Sequence, residues 1–454
     1  MFKKPWWLFW TSLVLFICFF AVETVAVQAW EEERPSSFWG NGVLNPMQMS
    51  GDDYKNRIAI PDMPIVGPDF PVGVEDNTQW NPDVAYNPNH DEYLVVWENL
   101  WGGGNTDIYA ARLNGEGDVL LTFAVTFGTN KRLDPSVAYD PDLERYLVAW
   151  EYDVNGDFSN LDIWGRFIPW YGPDPSLVEF PISIWTSHQW NPELVYNKNP
   201  AWPEFLIVWE NVPSVVPSYV SGRRIFSDGS GFPPGDGFTI ASDLADIRVS
   251  PSVAYNLARN EYLVTYDNST DIMATRLAAN GALLGGGEFT VAGWPDGEYA
   301  PSVAACARDD QYFVSWTSWN GSISQIYGRF VTGAGSPSTV HHIGTNVINE
   351  RNSSLACANE AGHFLVVWES QYSNTSGPYG VWGRLIYPDH SMSTTDFAII
   401  SAVAGGYGRY QPAVVAGTSE YFVVWEHQRY GTSFKDIFGA FIWRDLVYLP
   451  SILH

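Results

Sequence analysis

Residues 82–113 read PDVAYNPNHDEYLVVWENLWGGGNTDIYAARL. The central run, YLVVW at 93–97, is short, apolar, β-branched and aromatic without alternation, which is the pattern of a strand buried on both faces. The Asn-Pro-Asn-His-Asp stretch before it and the Gly-Gly-Gly-Asn stretch after it are turn formers, so three antiparallel strands joined by hairpins are expected here. The phrase then returns along the chain. Its Trp-type position falls at Trp97, Trp150, Trp209, Tyr266, Trp316, Trp368 and Trp425, at intervals of 50–59 residues. Recurrence at such a period marks units too small to bury their own faces, which must stack on copies of themselves.

Each repeat resolves into four strand-like pieces. The first is PDVAYNP (82–88), PSVAYDP (135–141), PELVYNK (192–198), PSVAYNL (251–257), PSVAACA (301–307), SSLACAN (353–359) and PAVVAGT (412–418). The second is the apolar run, and the third is the DIYAARL type (107–113), often ending Gly-Arg. The fourth is weaker, as in FAVTFG (123–128). Six fourth pieces follow the first six repeats, and none follows the seventh. A matching piece, FPVGV (70–74), stands ahead of the first repeat, and Phe70 precedes Pro82 by the same 12 residues that separate Phe123 from Pro135. The N-terminal strand is therefore expected to complete the last sheet and close a ring, which limits exposed strand edges. LVYLPSI (446–452) is a rival closing strand.

This pattern resembles an all-β, seven-bladed β-propeller of four-stranded antiparallel blades, over residues 69–443. It lacks the Gly-His and Trp-Asp signature of WD40 blades, the Gly-Gly pairs of kelch blades and the Ser-x-Asp-x-Gly-x-x-Trp box of sialidase blades. It is similar to secreted bacterial propeller repeat proteins that carry PxVAY, YLVVWE and IYGR blades and a VYLP-like tail. That resemblance implies an exported propeller and assigns no chemistry.

The first 29 residues read as a signal peptide: Lys3 and Lys4, an apolar run from Trp6 to Val22, and small residues at Val27 and Ala29 that set cleavage before Trp30. Retention of that run as an anchor is the alternative, and a secreted or cell-surface location follows from either. Residues 30–68 read as an irregular linker or arm and 444–454 as a tail. With 51 Asp and Glu against 24 Lys and Arg, the net charge of −27 argues against nucleic acid and anionic membrane surfaces as partners. No later segment reads as a membrane span, and a monomer is expected. Beyond Cys18, inside the apolar run, the thiols are Cys306 and Cys357, in equivalent strands of neighbouring repeats. A disulfide and two buried free thiols both fit that spacing.

In a ring closed this way, the fourth-to-first and second-to-third loops open on one face, around the mouth of the axial channel. The residue before the recurrent Pro is Asn81, Asp134, Asn191, Ser250, Ala300, Asn352 or Gln411, and the one before that is Trp80, Leu133, Trp190, Val249, Tyr299, Arg351 or Tyr410. Amides edged by aromatics suit a sugar or a peptide loop; the same residues are also ordinary turn formers. The Glu after the Trp, at Glu98, Glu151, Glu210, Glu369 and Glu426, recurs too often for an asymmetric active site and is expected to accept backbone N–H groups. The third-strand Arg, at Arg112, Arg166, Arg223, Arg276, Arg329 and Arg384, is expected to pair inside its blade with Glu92, Glu204 or Glu261. Asp153, Asn155 and Asp157 alternate as in calcium loops, but the Gly and the terminal Glu of such loops are out of place, so a solvated acidic turn is the competing reading. No catalytic motif is present. The expected function is a non-catalytic binding or scaffolding propeller that engages glycan or protein. Its rivals are an extracellular carbohydrate-active enzyme with acidic residues in the axial pocket, and a purely structural envelope repeat.

Overall fold

The computed structural model describes residues 64–443, apart from 102–103, 199–202, 234–236, 346–348, 360, 372–376, 403–406 and 430–433. The stretch read as a signal peptide, most of the arm, the tail and the rival closing strand lie outside the described residues. Blade 1 runs Thr78–Asn87, Glu92–Leu100, Thr106–Asn114, Val119–Ala124, antiparallel and in order from the channel outwards. Blades 2 to 7 repeat this order over 132–183, 188–241, 249–292, 297–342, 350–400 and 409–443. Innermost strands of successive blades are neighbours, and that of blade 7, Arg409–Ala416, lies beside that of blade 1. The protein is a seven-bladed β-propeller. Among the described residues, no helix is long and apolar enough to cross a membrane.

The seventh blade takes its outer strand from the start of the chain. Phe70–Gly73 pairs with Lys435–Trp443, setting Phe70 opposite Gly439 and Gly73 opposite Ile437. Gly439 has no side chain because a Cβ there would lie 2.6 Å from the Phe422 ring, on which Phe70 stacks at 5.8 Å. Ile65–Val66 continues the same edge against Trp443 and Ile442. Two residues are too few for strand periodicity to mark them, and they fall within the stretch read as an arm.

Second strands are buried on both faces because each is sandwiched between neighbouring blades. Leu94 and Val96 of blade 1 share a core with Tyr146, Val148 and Trp150 of blade 2. Trp97, Trp150, Trp316, Trp368 and Trp425 are fully buried in this way. Trp316→Ala is expected to destabilise the protein by about 3–5 kcal/mol, because the cavity cannot collapse between two rigid sheets. A urea midpoint unchanged from the parent would contradict this.

One local feature differs from the sequence expectation. The residues before the recurrent Pro were expected at the ends of loops, but they sit inside the innermost strands. The blade 1 strand starts at Thr78, and its register skips between Trp80 and Asp83. Asn81 there has φ 47°, and Asp134, Asn191, Ser250, Ala300, Asn352 and Gln411 share that left-handed conformation. This is a β-bulge repeated in every blade. Asn and Asp tolerate positive φ better than other side chains, which accounts for much of the residue choice at this position.

Candidate functional site

The bulge turns one backbone N–H of each blade sideways, towards the blade before it. At six of the seven junctions it meets the recurrent carboxylate, and blade 5 carries Thr317 in that place. Glu426 accepts from Asn81 N at 3.0 Å, Glu98 from Asp134 N at 2.8 Å and Glu151 from Asn191 N at 2.8 Å. Glu210, Asp267 and Glu369 accept likewise from Ser250, Ala300 and Gln411. The Trp-Glu pair thus supplies a latch between blades, including the junction that closes the ring. Burial raises these carboxyls: Glu98 to about 8, Glu210 to about 7, Asp267 to about 6, and Glu151 and Glu426 also upwards. Asp134 is raised by burial as well.

The recurrent Arg makes a second kind of latch, which corrects the expectation of a pair inside each blade. Arg112 does pair with Glu92 at 2.7 Å, and Arg276 pairs with Glu261. In blade 3, however, Glu204 takes Arg224 at 3.3 Å. Arg166, Arg329 and Arg384 donate to the Val125, Val291 and Ile343 carbonyls of the preceding blade at 2.6, 2.5 and 2.8 Å, and Arg223 donates likewise to the Ile182 carbonyl. Blades that lack a Glu partner use the guanidinium to hold the neighbouring outer strand.

Of the other sequence candidates, the acidic loop of blade 2 is satisfied by its own backbone. Asp153 accepts from Gly156 N and Phe158 N, Asp157 from Ser159 N, and Asn155 donates to the Ser159 hydroxyl. Among the described residues, no three His, Cys, Asp or Glu side chains converge as a metal set. Cys306 and Cys357 form a disulfide, with Cα atoms 5.6 Å apart, that joins the innermost strands of blades 5 and 6.

The channel mouth brings the pre-Pro residues together over an axial cavity of about 510 Å³. Its amides serve the frame first. Asn81 Nδ2 donates to Glu98 at 2.7 Å and to Asp134 at 2.5 Å, Asn352 Nδ2 donates to Glu369 at 2.7 Å, and Gln411 Nε2 donates to Asn81 Oδ1 at 3.3 Å. A side recess of about 480 Å³ opens between blades 6, 7 and 1, with Trp80 and Tyr410, the amides of Asn81, Asn352 and Gln411, and the pairs Arg351–Glu369 and Lys435–Glu426 in its wall. The Lys435 ammonium also sits 4.6 Å from the Tyr410 ring centre. Trp190 and Tyr299 are 36% and 39% exposed at the same rim. Leu133, Val249 and Arg351 leave the other three blades without an aromatic there.

Two sets of residues escaped the sequence reading. Trp101 and Trp319 stand at the ends of second strands, and Trp185 and Trp294 in fourth-to-first loops; all four are exposed on the face that carries the mouth. The second set lies just inside the channel, at the residue after each Pro: Asp83, Ser136, Glu193, Ser252, Ser302, Ser354 and Ala413. The spelling PDV and PEL, against the recurrent PSV, was the available signal.

No family model matches the chain, and no curated protein matches it. Solved structures share its fold at low identity. A puromycin hydrolase is 13% identical with a TM-score of 0.48, covering 79% of this chain and 53% of its own. The β-propeller domain of Cps50 (Swd1) from Myceliophteria thermophila is 8% identical with a TM-score of 0.45, covering 83% and 99%. A leech intramolecular trans-sialidase is 10% identical with a TM-score of 0.42, covering 81% and 68%. This chain spans about half the length of the puromycin hydrolase, and these likenesses concern the fold alone.

Proposed function

We propose that the chain is an exported, non-catalytic propeller that binds a glycan on the face carrying the channel mouth. The observation behind this is the one-sided placement of tryptophan. Among the described residues, the five most exposed, Trp101, Trp185, Trp190, Trp294 and Trp319, all lie on that face. Flat aromatic rings cover the C–H faces of sugars, while convergent amides and charge pairs match hydroxyls as donors and acceptors. The side recess offers both chemistries within one cavity of ligand size. The disulfide supports the export reading, since such bonds persist in oxidising compartments.

A hydrolytic reading draws on one observation, the neighbouring carboxyls of Asp134 and Glu151, both raised by burial, beside the cavity. Burial of Glu151 at 4% exposure and its latch to Asn191 N favour a framework role for that pair. The test is a polysaccharide array read for retention and for released reducing ends. Retention without release is expected, and Trp190→Ala and Tyr410→Ala should each weaken binding by roughly 30-fold. Released products would transfer the assignment to the enzyme, and retention of proteins alone would remove the glycan.

A further inference from the structure

The far end of the axial channel is a second cavity with the opposite chemistry. It holds about 440 Å³, takes its wall from blades 1, 2, 3, 6 and 7, and shares Val84, Val137 and Leu194 with the cavity of the mouth. The fourth residue after the recurrent Pro, or after Ser353 of blade 6, decides its shape. That residue is Tyr86, Tyr139, Tyr196 and Tyr255 in blades 1 to 4, but Ala305, Cys357 and Ala416 in blades 5 to 7. Tyr86, Tyr139 and Tyr196 stand in one part of the wall, and Cys357 and Ala416 in another. Room is therefore left where further rings would complete the circle of tyrosines. The Cys306–Cys357 disulfide ties the small-residue side together across blades 5 and 6.

Charge separates the two ends of the channel. Asp83, Asp134 and Glu193 line the mouth, whereas no Asp or Glu lines the far cavity among the described residues. Two acids at this end, Asp91 and Asp142, accept from the Tyr86 and Tyr196 hydroxyls at 2.9 and 3.0 Å. The one ionic residue in the lining is Lys198. It follows the inner strand of blade 3, His188–Asn197, where blades 1 and 2 carry Pro88 and Pro141. Lys198 is exposed to the lumen and has no hydrogen bond or ion pair among the described residues. Desolvation by the channel wall lowers its pKa, and no carboxylate acts against that shift. An anion set beside it would favour the charged ammonium again. An apolar, aromatic wall with one placed polar group is the make-up of small-molecule pockets.

We infer that the far cavity binds an aryl carboxylate, its ring against the tyrosine side and its carboxylate on the Lys198 ammonium. Aromatic pairs gain from offset or edge contacts, which the three tyrosines offer to an arene more than to an alkyl chain. Occupancy of this end is independent of what binds at the mouth, and failure of the glycan reading leaves it untouched.

The experiment is calorimetry of 4-phenylbutyrate, 4-phenylbutyramide and octanoate on the mature chain, at low and at raised salt. A charge-assisted hydrogen bond to Lys198 corresponds to about a tenfold preference for the acid over its amide, reduced by salt. Lys198→Met is expected to bring that ratio towards one. Ala416→Tyr, which supplies a ring that four blades already carry at this position, should weaken both phenyl probes about tenfold or more by filling the cavity. Its thermal midpoint checks that it folds, and Lys198→Met decides the matter if it does not. Equal affinity for acid and amide, or a preference that survives Lys198→Met, would overturn the inference. So would binding unchanged in a folded Ala416→Tyr, tighter binding of octanoate than of 4-phenylbutyrate, or no binding of any probe. An acidic peptide held through Lys198 where all three probes are refused would assign this end to a protein partner and overturn it as well.

Discussion

The protein is expected to unfold at a lower temperature at about pH 8 than at about pH 5, the reverse of ordinary acid denaturation. The cause is the latch ring. Glu98, Glu210 and Asp267 have folded-state values near 8, 7 and 6, and Asp134, Glu151 and Glu426 are shifted in the same direction, in each case chiefly by burial. A carboxyl raised on folding holds its proton in the native state where the unfolded chain has released it. The native state therefore binds more protons from the ordinary carboxyl value upwards, and stability falls as pH rises through that window until the folded values are passed. Self-repulsion of a chain with net charge −27 acts in the same direction. Well below the ordinary carboxyl range the trend turns over, because Glu288, which burial would raise, is instead lowered by its bonds to Arg248. Thermal midpoints between about pH 5 and pH 8 check this, together with Glu98→Gln, which keeps an acceptor for Asp134 N and should flatten the slope. A midpoint that stays level or climbs over the window would dismiss the argument.

Removing residues 64–74 is expected to have the largest effect of any truncation. It strips the outer strand from blade 7 and bares the edge of Lys435–Trp443, including the faces of Phe422 and Phe441 on which Phe70 packs at 5.8 and 5.7 Å. An unpaired apolar edge invites association with other chains. The truncated protein should elute as aggregate or melt well below the parent, and a synthetic peptide spanning 64–76, supplied in trans, should restore part of the midpoint. A truncated monomer with the parent midpoint would show that closure contributes little.

The ring was legible because its determinants are repetitive. YLVVW-type runs and the 12-residue spacing from Phe70 to Pro82 both survive translation from sequence to pairing, and FPVGV lands opposite Ile437 to Gly439. The bulge was not legible, because a Pro after a polar residue reads as the start of a strand, whereas the strand already runs from Thr78. The Arg latches were hidden for another reason. Arg166 finds the carbonyl of Val125, 41 residues away, and a backbone acceptor leaves no mark in the side-chain pattern. The interior acids were visible as departures from serine, but attention to the residue before Pro passed over the residue after it. The exposed tryptophans carry no periodic signal at all; their common face follows from the loops that hold them.

At six of the seven junctions a blade presents a carboxylate to a backbone N–H of its successor, and the pair Glu426–Asn81 joins last to first by the same rule. Every such module is thus compatible, at this level, with any other as its neighbour. Duplication, loss or exchange of a whole unit by recombination leaves no orphaned partner at the new junction. The fold can be varied blade by blade, and novelty in its lumen can arrive by transplanting a single module rather than by reworking the circle.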